Sequence, residues 1–197
     1  MTHTKKLSVA TLALVIGIGV AVSPTSAEDK AVLRLRAFAV NLSGTGGPPT
    51  GSLDITIERW STDAEREKLR GLLIEKGSDA LLKALQSIKP RAGYIRSSTS
   101  LGWDIQYARE QPSGDGRRVI IATDRPMSYW ELSTKPRSVE YEFTLAEIHL
   151  TKDGKGEGKL VPAAKISWSK DTRTIEIENY GIEPVRLAEV QVEGGKK

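Results

Sequence analysis

The sequence predicts an α+β fold that is mainly antiparallel β: a sandwich or half-open barrel of about nine strands with one helical hairpin packed on it. Three observations support this prediction. Apolar and polar residues alternate with a period of two through most of the chain after residue 30, turn-forming residues separate these segments, and only residues 62–90 change to a helical period. Short segments joined by turns favour antiparallel pairing.

Residues 1–27 have the order of a secretory signal peptide. Lys5 and Lys6 precede an uncharged apolar run over residues 7–22, and small residues follow up to Ala27, after which we place the cleavage site. The run has 16 residues, fewer than the roughly 20 that a helix needs to cross a bilayer. The sequence therefore predicts a signal peptide at residues 1–27, a single β-rich domain at residues 28–197, and no membrane span after cleavage. A retained N-terminal anchor is the alternative.

The first two strand candidates flank a loop rich in glycine and proline at residues 43–51. Residues 31–42 predict a strand whose end at residues 37–40 is apolar on both faces, which is typical of a strand covered on both sides. Leu53, Ile55 and Ile57 then alternate with polar residues and predict a half-buried strand.

A helical hairpin follows at residues 62–90. Thr62 and Glu65 have the spacing of a capping box, Gly77 is a natural stop between two helices, and Pro90 ends the second helix. Leucines form one apolar stripe on each helix. We expect the hairpin to cover the two strands that are apolar on both faces, at residues 31–42 and 119–122.

The remainder of the chain predicts strands joined by turns. The apolar phase flips between Leu145 and Ala146, which indicates a bulge, and Asp153-Gly154 predicts a hairpin turn. The strand candidates are residues 94–96, 101–110, 119–122, 139–150, 160–168, 174–180 and 185–192.

Composition excludes several kinds of chemistry. The chain has no cysteine, which excludes disulfides, thiolate metal sites and a cysteine nucleophile. Loss of the signal removes His3 and leaves His149 as the one histidine, so neither a zinc site nor a histidine proton relay is predicted. Removal of two lysines lowers the formal net charge from +4 to +2, with both signs interleaved along the chain. We therefore predict no metal, no cofactor and no nucleic-acid partner.

Two segments combine aromatic rings with charged side chains, one beginning at Trp103 and the other following an apolar strand at residue 123. This mixture is typical of binding sites, because flat rings supply contact area while carboxylate and guanidinium groups orient a ligand. The alternative is that the tryptophans fill the core and the charges pair at its rim. The predicted binding residues are Trp103, Asp104, Arg109, Asp124, Arg125, Tyr129, Trp130 and Glu131.

No catalytic residue is predicted, because the sequence contains no nucleophile–base signature. Paired carboxylates can support hydrolysis of glycans or esters, but only if two of them converge in a cleft. The candidates for such a pair are Asp54, Glu58, Asp104, Asp124 and Glu131. The sequence favours a protein that is not an enzyme.

Four short segments, taken together, resemble a group of uncharacterised bacterial secreted proteins, and the similarity covers most of the chain after the signal. They are Phe38-Ala39-Val40-Asn41, Ile57-Glu58-Arg59-Trp60-Ser61, Gly93-Tyr94-Ile95-Arg96 and Ala122-Thr123-Asp124-Arg125-Pro126. The resemblance implies a bacterial, exported, single-domain protein. It implies no activity, so no catalytic residue is carried over from the group.

The sequence thus predicts an exported, non-enzymatic binding or accessory protein of the bacterial cell envelope, either secreted or periplasmic. Its partner is expected to be a small molecule, a glycan or another envelope protein. Two alternatives stand beside this expectation: a carboxylate-dependent hydrolase, and an interaction module of the envelope that pairs with a partner through an exposed strand edge.

Overall fold

A computed structural model of the chain describes residues 31–41, 50–98, 100–127, 140–180 and 183–194. The predicted signal peptide lies outside the described residues. So do most of the predicted loop at residues 43–51 and three of the predicted binding residues, Tyr129, Trp130 and Glu131.

The described ranges contain nine strands and two helices, in the order that the sequence predicts. The strands are β1 Leu33–Val40, β2 Thr50–Ile57, β3 Gly93–Ser97, β4 Trp103–Ser113, β5 Gly116–Thr123, β6 Phe143–Leu150, β7 Lys155–Ser169, β8 Thr174–Asn179 and β9 Val185–Val192. The helices are α1 Asp63–Lys76 and α2 Ser78–Gln86.

Eight of the strands close into a barrel. Each neighbour pair from β1 to β7 is antiparallel, and β9 joins β7 back to β1. The ninth strand, β8, lies outside the barrel and pairs with β7. The prediction of a mainly antiparallel β fold with a helical hairpin is confirmed, but the sandwich or half-open barrel is wrong. Because β7 pairs with β6 on one side and with β9 on the other, the barrel has no opening between its first and last strands.

Two glycines of β7 permit this closure. A Cβ atom at Gly156 would lie 1.9 Å from the carbonyl oxygen of His149, and one at Gly158 would lie 2.5 Å from that of Glu147. The backbones of β6 and β7 can approach so closely only because glycine has no side chain. The sequence alone did not predict this part of β7, because residues 155–159 contain no apolar side chain.

The barrel interior is packed with side chains. All eight barrel strands contribute to one buried cluster, in which residues such as Ile55, Ile105 and Ile148 are almost completely inaccessible. Branched apolar side chains fill the interior of a barrel of this strand number. The pairing of β6 with β7 shifts register between Phe143 and Leu145, so the predicted bulge is confirmed.

The predicted capping box begins α1. The Thr62 hydroxyl accepts a hydrogen bond from the Glu65 amide at 3.1 Å, and the Glu65 carboxylate accepts one from the Thr62 amide at 2.8 Å. Gly77 joins the two helices with a φ of 83°, a backbone conformation that glycine adopts without strain.

The helices pack on a different face from the one predicted. Their buried leucines contact Phe143, Ala164 and Ile166, on β6 and β7, rather than the strands at residues 31–42 and 119–122. The reason is that β7 extends beyond the barrel and carries outward apolar side chains there. By contrast, the outward-facing Phe38 of β1 remains exposed.

Candidate interaction surface

The β7–β8 hairpin projects from the barrel. Residues 155–160 of β7 pair with β9 and residues 156–164 pair with β6, whereas residues 164–169 pair with β8. Among the described residues, β7 is the one strand paired with β8, so the other edge of β8 is open. An open strand edge presents backbone donors and acceptors that another extended chain can use.

The backbone groups of Ile175 and Ile177 point toward this open edge. The Tyr180 amide donates to the Ala163 carbonyl across the hairpin at 3.3 Å. In an antiparallel ladder, hydrogen-bonded and non-hydrogen-bonded positions alternate. Glu176 and Glu178 therefore bond to β7, while the N–H and C=O groups of Ile175 and Ile177 face away from it.

The side chains of the same two isoleucines are also exposed. Exposure is 45% for Ile175 and 57% for Ile177. Ile177 lies opposite Ile166 and shares its face of the hairpin, where α1 and α2 cover Ile166. The helices thus cover the β7 half of this apolar face and leave the β8 half open.

The other face of the hairpin is acidic. Glu176 and Glu178 project there, and Glu178 accepts a hydrogen bond from the Tyr141 hydroxyl. Lys165, opposite Glu178, donates to Glu140 at 2.6 Å. That contact raises the pKa of Lys165 and lowers the pKa of Glu140. In the described part of the chain no ion pair involves Glu176.

We define the β8 surface as the open edge of β8 together with the side chains of Ile175, Glu176, Ile177 and Glu178. It offers three features on one six-residue strand: backbone groups that pair with no other described strand, exposed apolar side chains on one face, and carboxylates on the other. This is the arrangement that β-strand addition uses, in which main-chain hydrogen bonds supply affinity and alternate side chains supply specificity.

Of the five predicted binding residues that the structure describes, Trp103, Asp104, Asp124 and Arg125 lie near the start of β4, whereas Arg109 lies farther along that strand. Trp103 points into the barrel and is 6% exposed. Asp104, the next residue, points outward and accepts a hydrogen bond from Arg91 at 2.6 Å. Arg109 forms an ion pair with Asp63 at the start of α1, at 2.7 Å. Five residues of extended strand, roughly 16 Å, separate Arg109 from Asp104.

The segment after β5 is held by buried hydroxyl groups. The Thr144 hydroxyl shares its one proton between the carbonyl oxygens of Arg125 and Pro162, at 3.1 and 2.8 Å. The Thr123 hydroxyl accepts from the Thr144 amide at 3.1 Å. Arg125 reaches across to the Gly102 carbonyl at 3.0 Å, and the neighbouring Asp124 is half-buried. Asp124 and Arg125 therefore lie at the end of β5 near the start of β4.

His149 lies on the outer face of the barrel, in a shallow depression over β6, β7 and β9. Its Nε2 atom is 2.9 Å from Glu147, and Arg186 pairs with Glu157 at 3.1 Å nearby. Within the described ranges no group of three or more metal-binding side chains occurs. The depression is lined mainly by charged side chains, and Glu147 and Glu157 form ion pairs there.

Sequence reasoning predicted the strand at residues 174–180 but not its importance. Ile175 and Ile177 alternate with glutamates, which is the pattern of a half-buried strand. The signal that distinguishes β8 is its position outside the closed barrel, and this depends on pairings between distant residues.

Comparison with known proteins finds no matching family model, no matching curated protein and no matching solved structure. Neither described helix combines the length and apolar character needed to cross a membrane.

Proposed function

We propose that this protein is an exported, non-enzymatic binding protein of the bacterial cell envelope that takes up an extended segment of a partner protein along β8. The observation that carries the proposal is the coincidence of open backbone groups and exposed side chains at Ile175 and Ile177. The order of residues 1–27 supports export.

A small ligand inside the barrel has less support. The interior is occupied by inward-facing side chains from all eight barrel strands, including Trp103. A small-molecule site of the usual kind is a concave pocket with a few convergent polar groups. The outward charges at Asp104 and Arg109 are instead engaged by neighbouring side chains, Arg91 and Asp63.

Hydrolysis by paired carboxylates also has less support. Glu58 and Asp104 do converge, but both bind Arg91, which donates to Glu58 at 3.1 Å and to Asp104 at 2.6 Å. The guanidinium group therefore occupies the space between the two carboxylates. Glycoside hydrolysis needs that space for the scissile bond and the attacking water.

The test uses eight-residue peptides in which Val alternates with Thr, Lys or Glu. Amide hydrogen exchange of the purified protein is measured with and without each peptide. We expect the Ile175 and Ile177 amides to exchange rapidly in the free protein and to slow at least tenfold with one or more peptides. The Glu176 and Glu178 amides, already bonded to β7, change little.

Ile177→Pro is the matching variant, because it removes an outward-facing donor without breaking the ladder to β7. Ile177→Pro should abolish the protection of the Ile175 amide from exchange. Ile177→Thr keeps the amide donor and should retain part of the protection. The proposal fails if no peptide protects Ile175 and Ile177, or if protection persists in a folded Ile177→Pro variant.

A further inference from the structure

The charge on the β8 surface limits which side chains a bound strand can carry. On the face that carries Glu176, Glu140, Glu176 and Glu178 lie near Lys165, and the turn before β8 adds Lys170, Asp171 and Arg173 at one end of the strand. Lys165 is already committed to Glu140. Along β8 itself, an arriving strand therefore meets the carboxylates of Glu176 and Glu178 on one face and the two exposed isoleucines on the other.

A second copy of this chain is a poor partner in the two registers that pair the greatest part of β8. Two identical antiparallel strands related by a twofold axis must place residues of the same face opposite each other, because side chains alternate with a period of two. A register centred on Glu176 places Glu176 opposite itself, and one centred on Ile177 places Glu176 opposite Glu178. Like charges directly opposite destabilise a strand pair.

We infer that the partner of β8 is a strand in which apolar residues alternate with lysine or arginine. This inference rests on the proposed function and specifies its ligand. The apolar residues of such a strand extend the face formed by Ile175 and Ile177, and its cations lie opposite Glu176 and Glu178. The glutamates then have two effects: they oppose pairing between copies of the chain and favour a basic strand.

The relative affinities of the three peptides test the inference. We expect the Val–Lys peptide to bind at least fivefold more tightly than the Val–Thr peptide, and the Val–Glu peptide to bind more weakly than both. The chain has a formal net charge of +4, or +2 without residues 1–27, so nonspecific attraction would favour the acidic peptide instead. A preference for the basic peptide therefore reports the local charge at β8.

Glu176→Lys should remove or reverse this preference, because the side chain of Glu176 lies beside the cations of the bound strand. Glu75→Lys is the matched control: it makes the same charge change at an exposed position on α1. It should leave the ranking unchanged. Sedimentation over a range of concentrations should show no dimer that depends on β8.

The outcomes separate this inference from the proposed function. If all three peptides bind equally and protect Ile175 and Ile177, the function stands and the basic partner is wrong. The basic partner is also wrong if Glu176→Lys leaves the ranking unchanged, or if a dimer forms that Ile177→Pro abolishes. If no peptide protects these amides, the function itself fails.

Discussion

Ile166 of β7 and Ile177 of β8 lie directly opposite each other in one hairpin, yet 8% of Ile166 is exposed against 57% of Ile177. The two residues have the same side chain, the same secondary structure and the same face of the sheet. They differ in what lies above them: the leucines of α1 and α2 cover Ile166 and stop before β8. The apolar face is therefore exposed at β8 because the helical hairpin does not extend over that strand.

This difference predicts unequal effects on stability. Ile166→Ala should lower the free energy of unfolding by about 2–3 kcal/mol, because it leaves a cavity beneath the helices. Ile177→Ala should lower it by less than about 1 kcal/mol, because an exposed side chain loses little burial. Urea unfolding of both variants measures the two values. Equal losses would mean that Ile177 is covered in solution and that the β8 surface is not open.

A pair of glycine substitutions tests the closed barrel. Gly156→Ala should cost more than about 3 kcal/mol or prevent folding, since its Cβ would lie 1.9 Å from a carbonyl oxygen of β6. Gly71→Ala is the control, because nothing lies within 4 Å of the corresponding Cβ on α1. It should raise stability by about 0.5–1 kcal/mol through improved helix propensity. If Gly156→Ala is as well tolerated as Gly71→Ala, β6 and β7 do not pair as described.

Local patterns in the sequence predicted most individual elements. Residues 185–192 form β9 with the predicted bounds, and the flip of apolar phase at Leu145 located a bulge. These features depend on neighbouring residues alone, since alternation and capping are read within a few positions. The same is true of the capping box at Thr62 and Glu65.

The closure of the barrel and the position of the helices are not local properties. Residues 155–159 alternate charge with glycine and contain no apolar side chain, so no pattern marks them as the strand that joins both sides of the barrel. Phe38 is apolar but faces outward, which led to the wrong strand for the helices to cover. The candidate site could not be predicted from local patterns either, because β8 differs from the other strands only through its pairing.

The buried hydroxyl of Thr144 should stabilise the connection after β5. Thr144→Val keeps the shape of the side chain but removes this donor, while the Thr123 hydroxyl still donates to the Arg125 carbonyl and the Met127 amide to the Pro162 carbonyl. We expect a loss of about 0.5–1.5 kcal/mol in the free energy of unfolding, the net value of one hydrogen bond. Thr144→Ser retains the hydroxyl and should lose less. If Val is tolerated better than Ser, packing of the methyl group is the main contribution of Thr144 rather than its hydrogen bonds.

Stability should also depend on pH through Glu65. A hydrogen bond from Arg59, at 3.0 Å, is the main cause that holds the pKa of Glu65 below its ordinary value near 4.5. A carboxyl group whose pKa is lowered by folding stabilises the protein above its unfolded pKa, and this contribution disappears as the pH falls through the folded pKa. Wild type should therefore exceed Glu65→Gln in stability by up to about 1 kcal/mol at pH 7, since the pair is partly exposed. The difference should begin to shrink below about pH 5 and vanish once Glu65 is protonated in the folded protein. Urea unfolding between pH 7 and pH 3 measures it, with Glu75→Gln on the same helix as the control. A difference that stays constant over this range would mean that the charge of Glu65 is not what stabilises the start of α1.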